Sequence, residues 1–170
     1  MSKKSIILTI FIAASILISG CIFDKYNGTT GNETKTINSD IIPTINLPSG
    51  FTYMAVHDTI IENGNFSHKA TEGVYRTDQG EDIYVQVFET EKPVELLDEY
   101  KAQYKDEGYD PFTDIYFNGH KATKVMSDST SNGKSVPKYN VIWTFNNSMI
   151  KVGSSTDAQK VINLATATNH

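Results

Sequence analysis

The sequence predicts an α+β domain, an antiparallel β-sheet covered by two main helices. Three observations predict it. Apolar residues recur with period two through most of the chain beyond Ile41, the pattern of half-buried strands. Two segments depart from that period for helical spacing, one from Pro93 and one near the carboxyl end. Turn signals separate the period-two runs at hairpin distance, so strands follow strands and the helices stand apart from them.

Taken in order, "FTYMAV" follows the turn signal Pro48-Ser49-Gly50, and "KATEGVYRT" follows the polar "ENGNFSH". "DIYVQVFET" puts Ile83, Val85 and Val87 on one face and Tyr84, Gln86 and Phe88 on the other. Pro93 then suits a first helical turn, with Val94, Leu97, Tyr100 or Lys101, and Tyr104 as its stripe up to Gly108. Asn118-Gly119 is the strongest hairpin signal in the chain and joins Phe112–Phe117 to His120–Met126. "DSTSNGKSVPK" reads as an exposed loop. In "YNVIWTF", Tyr139, Val141, Trp143 and Phe145 share a face, and Asn146-Asn147 turns the chain into "SMIKVGS". Thr156-Asp157-Ala158-Gln159 reads as a capping box, and Ala158, Val161, Ile162, Ala165 and Thr168 as the stripe of a closing helix.

Ahead of this domain stand Lys3-Lys4 and an apolar run from Ser5 to Ile18, the order of a secretory signal. Those fourteen residues rise about 21 Å as a helix, short of the roughly 30 Å hydrocarbon core. Extended through Phe23 the run approaches spanning length, so an uncleaved signal anchor is the rival; either version places the domain outside the cytoplasm. The chain has a single cysteine, Cys21, directly after this run. Ile18-Ser19-Gly20-Cys21 resembles the lipobox of prokaryotic lipoproteins. The resemblance implies a diacylglyceryl thioether on Cys21 and cleavage before it, giving a signal peptide over 1–20. Two acyl chains hold a protein at a bilayer where one holds it marginally.

From Asp24 to Asp40 the chain is rich in Gly, Asn and Thr, so residues 21–40 read as the lipidated cysteine with a flexible tether, and 41–170 as one globular domain. Asn27, Asn32, Asn65 and Asn146 each open a glycosylation sequon, the first two in the tether. With Cys21 used, no intramolecular disulfide is possible, and the domain must stand on its apolar core.

The element order and apolar pattern of "LPSGFTYMAV", "DIYVQVFETEKPVELLDEYKAQY", "FNGHKATKV" and "VIWTFNNSMIKVGSSTDAQKVINLATAT" resemble PsbP-like domains of uncharacterised archaeal and bacterial lipoproteins. The resemblance implies fold and carries no site residue onto this chain.

The formal net charge of −5 has no basic cluster beside it, which argues against nucleic acid as a partner. No Gly-rich phosphate loop and no nucleophile elbow is present. The four histidines are His57, His68, His120 and His170, with none at zinc-ligand spacing. Asp106, Asp110 and Asp114 lack the glycine and closing glutamate of a calcium loop, and Glu95, Asp98 and Glu99 read as an outer helix face. Tyr84, Tyr116, Tyr139 and Trp143 read as sheet packing.

These readings leave a lipid-anchored extracytoplasmic binding or assembly module of the cell envelope, non-enzymatic, with no cofactor or metal. Its partners would be the membrane, through Cys21, and a protein or small molecule not identified by any motif. The alternatives are an envelope enzyme with a site near His57 and Asp58 or His120, and a purely structural envelope protein.

Overall fold

In a computed structural model of the chain, residues 40–105, 108–131 and 133–170 are described. They form seven strands and two helices: β1 (Phe51–Asn63), β2 (Phe66–Thr77), β3 (Asp82–Glu89), α1 (Pro93–Ala102), β4 (Phe112–Phe117), β5 (His120–Ser131), β6 (Lys134–Phe145), β7 (Ser148–Ser155) and α2 (Ala158–Ala167). All seven strands pair antiparallel in one sheet, in the order β1-β2-β3-β7-β6-β5-β4. The fold is therefore α+β. Two meanders, β1–β3 and β4–β7, meet where β3 pairs with β7, and the connection through α1 carries the chain from β3 to the far edge.

Alternation along the strands builds a core on each face of the sheet. On one face Ile83, Val85, Val141, Trp143, Ile150 and Val152 pack with Val161, Leu164 and Ala165 of α2. On the other Phe66, Phe88, Val125, Ile142 and Met149 pack with Leu96 and Tyr100 of α1. Both helices lie beside β6 and β7, from opposite sides. Over the α2 face, ahead of β1, Ile41 and Ile42 join the core, and the buried Tyr75 hydroxyl donates to the Pro43 carbonyl at 2.9 Å.

The tight turns follow the residues. Asn118 and Gly119 take φ of 47° and 77°, the positive values a two-residue hairpin turn needs, between β4 and β5. Asn146, at φ 49°, does the same between β6 and β7.

Four expectations are corrected. "DSTSNGKSVPK" is not a loop: β5 runs on to Ser131, β6 begins at Lys134, and Asp128 lies opposite Pro137. Its strands extend beyond the core, so their side chains carry no apolar face to announce them. In α1 the buried residues are Leu96 and Tyr100, while Val94 is 60% exposed. In α2 the cap is Asp157 rather than Thr156, its carboxylate accepting from the Gln159 and Lys160 amides, and Leu164 is buried in the stripe. Tyr116 does not pack in the sheet; on the edge strand β4 it is 74% exposed.

Candidate functional site

The two faces of the β1–β3 meander carry different chemistry. Asp58, Thr71 and Val87 lie side by side across β1, β2 and β3, and Ile60 and Lys69 are paired one step further along. With Glu89 they line a cavity of about 410 Å³ on the face that α2 shares. That volume falls in the range of small-molecule sites. The Thr71 hydroxyl donates to Asp58 Oδ1 at 3.0 Å, which fixes one carboxylate oxygen at the cavity wall. Ile60 is exposed and Val87 is buried, so an apolar wall and floor stand among two carboxylates, an ammonium and a hydroxyl. Such a lining orients an amphipathic ligand by its polar end while burying its carbon skeleton.

The opposite face carries a polar row. His57, Glu72, Gln86 and Lys151 are successive cross-strand partners on β1, β2, β3 and β7. His57 Nε2 lies 3.4 Å from Glu72 Oε1, Gln86 Nε2 donates to Glu72 Oε2, and Lys151 Nζ donates to Gln86 Oε1 at 2.9 Å. Glu72 and Gln86 are buried, so their mutual satisfaction is what makes this row tolerable in the sheet. Burial lowers the Lys151 ammonium to about 8, with the Glu72 carboxylate pulling weakly the other way. Beyond this row Asn140 lies against Gly153, its Oδ1 buried without a hydrogen bond.

A third cluster holds the start of α2. Glu81 accepts from Lys138 Nζ at 3.2 Å, Ser155 Oγ at 2.7 Å and the Thr156 amide at 3.4 Å. Burial alone would raise its carboxyl; the bonds from Ser155 and Lys138 outweigh that and hold it below the usual range.

The sequence-derived candidates are scattered by this geometry. His57 and Asp58 point to opposite faces, one toward Glu72 and the other toward Thr71. His120 packs edge-on against Phe145 at 5.6 Å, with the His170 ring on Phe145 at 4.7 Å. His68 reaches Glu99 of α1 at 3.0 Å. Glu95 pairs with Lys92, Asp114 with Lys121, and Asp110 Oδ1 accepts from the Phe112 amide. Among the described residues no three His, Cys, Asp or Glu side chains group as metal ligands, and no helix is long and apolar enough to cross a membrane. Asn65 and Asn146 are exposed, each at a hairpin end. Cys21, Asn27, Asn32, Asp106, the signal segment 1–20 and the tether up to residue 39 lie outside the described residues.

Sequence reasoning missed Lys69, Thr71 and Glu89 as a group, because only strand register brings them together. Glu72, Gln86 and Lys151 had a signal: each is polar within a strand whose flanking positions are apolar or glycine on the same face. The chain matches no family model, no curated protein and no solved structure.

Proposed function

We propose that the chain is a lipid-anchored extracytoplasmic binding module of the cell envelope, tethered through Cys21, in a PsbP-like arrangement with the helices covering the sheet. The observation that supports binding is the cavity formed by Asp58, Ile60, Lys69, Thr71, Val87 and Glu89. Its lining mixes fixed charges with apolar surface and holds no activated nucleophile beside a histidine, so it suits retention of a small amphipathic molecule better than turnover. The lipobox resemblance supports the anchor, and with it a membrane-facing location.

The test is a ligand screen on the full chain in detergent, read by thermal shift. At least one small amphipathic compound should raise the melting temperature of the wild type, and Thr71→Tyr, which fills the cavity, should abolish that rise while melting like the wild type without ligand. A screen in which no compound shifts the wild type, or in which Thr71→Tyr responds equally, would overturn the assignment of the cavity.

A further inference from the structure

The two edges of the sheet are built differently. β4 has six residues, follows Pro111, and carries the Asp114–Lys121 ion pair. Short length, a neighbouring proline and a charged pair are ordinary means of keeping an edge from pairing with another chain. β1 is long and has no adjoining proline, and its cross-strand contact is His57 with the buried Glu72 rather than an exposed lysine–aspartate pair. It is thirteen residues long, "FTYMAVHDTIIEN", with no Lys, Arg, Pro or Gly. Its one irregularity lies between Tyr53 and Ala55, and from Ala55 to Asn63 its register with β2 is unbroken. Met54, Val56 and Ile60 are 46%, 41% and 56% exposed, three of the six large exposed apolar side chains among the described residues.

We propose that β1 pairs antiparallel with β1 of a second copy of this chain, about a two-fold axis at Thr59, joining two sheets into one. The register follows from the strand itself. In a two-fold antiparallel pair, residues opposite each other share a face, so the axis passes between one residue and its own copy. Thr59 is the middle of the unbroken run from Ala55 to Asn63, so this choice uses every regular residue. It sets Asp58 against the partner's Ile60 and Glu62 against the partner's Val56, leaving no two carboxylates directly opposed. An axis at Asp58 opposes Asp58 to itself, and one at Ile60 opposes Asp58 to Glu62, each a destabilising like-charge pair. An axis at His57 runs the pairing into the irregular start of the strand.

The pairing also completes a site. Asp58, Thr59 and Ile60 are the β1 residues of the cavity wall, and the Thr59 axis would bring Ile60 of each copy beside Asp58 of the other. The two cavities then adjoin across the seam, each walled partly by its neighbour. This inference does not depend on what the cavity binds, and its test is separate from the ligand screen.

Sedimentation of the full chain in one detergent compares wild type with Ile60→Glu, a change at an exposed position that sets a second carboxylate opposite the partner's Asp58. The wild type should sediment as a dimer at micromolar concentration and Ile60→Glu as a monomer with the same circular dichroism; the micelle is common to both. In a Cys21→Ser background, Thr59→Cys should form an intermolecular disulfide on oxidation, since opposed strand residues lie within disulfide reach, while Thr52→Cys on the same strand should not. A monomeric wild type, a dimer that survives Ile60→Glu, or equal crosslinking at the two cysteine positions overturns the proposal. A monomer whose β1 is protected from hydrogen exchange would assign the edge to another occupant, and equally overturns it.

Discussion

Asn140 lies across Gly153 so closely that a β-carbon at position 153 would fall 2.8 Å from Asn140 Cγ and 3.1 Å from the Tyr139 carbonyl oxygen. The two residues are cross-strand partners at the irregular start of the β6–β7 pairing. Glycine here makes room for a neighbour's amide.

Gly153→Ala should therefore cost about 2 kcal/mol or more by overpacking. Because Asn140 Oδ1 has no hydrogen bond to lose, Asn140→Ala should cost less, and the double variant should recover part of the loss. Urea denaturation of the four proteins checks this; strictly additive losses would show that the Tyr139 carbonyl, rather than the Asn140 amide, sets the limit.

Lys151 predicts an alkaline rise in stability. Its amine titrates at about 8 when folded and near 10.4 in an unfolded chain. Between those values the unfolded chain holds a proton that the folded chain has given up, so stability rises with pH across that window. Below it both states are protonated and the folded state bears the full cost of burial. Tyr75 and Tyr100 act in the opposite sense: burial raises both, so above about pH 10 the unfolded chain loses protons first and stability falls. Unfolding free energy should climb by about 1–2 kcal/mol from pH 7 to 9.5, and Lys151→Met should flatten the climb. An unchanged slope in the variant would assign the rise to other groups.

Glu81 predicts a local effect at acid pH. Its folded carboxyl is held low, so its contribution is present above the ordinary carboxylate range and is lost as pH falls through the folded value. Glu81→Gln keeps the shape but weakens the bonds to Lys138, Ser155 and Thr156. Hydrogen exchange should quicken in the first turn of α2, with β1 and β2 unchanged. Uniform acceleration across the sheet would mean that Glu81 serves global rather than local stability.

The anchor is tested at Cys21. Wild-type protein from membranes should have the mass of a lipidated chain beginning at Cys21, and Cys21→Ser should lack the lipid mass. A chain that keeps Met1 without added lipid would identify the apolar run as a signal anchor.

What could be read in advance was whatever a single strand or turn encodes. Ile83, Val85 and Val87 alternate because one face of β3 is buried, and Asn118-Gly119 turns because its residues tolerate positive φ. The hairpin around Gly133 is illegible because the ends of its two strands extend past both cores, and Leu96 escapes the expected stripe because one turn of α1 offers apolar residues at adjacent positions, Leu97 packing against the same core beside it. The cavity was hidden for a different reason. Its residues come from three strands, and their meeting depends on register, which is settled by the whole sheet rather than by any of its segments.

The seam between β3 and β7 joins strands that are far apart in sequence. A chain that emerges amino end first can close the β1–β3 hairpins at once, but β3 remains a second open edge until residues 148–155 arrive. Pairings of such long reach close slowly. During that interval the half-built sheet has two bare borders, and β3 offers Val85, Val87 and Phe88 to any passing strand. The demand for a holding chaperone thus falls late in the chain's emergence, and a truncation before β7 should aggregate rather than fold into a smaller sheet.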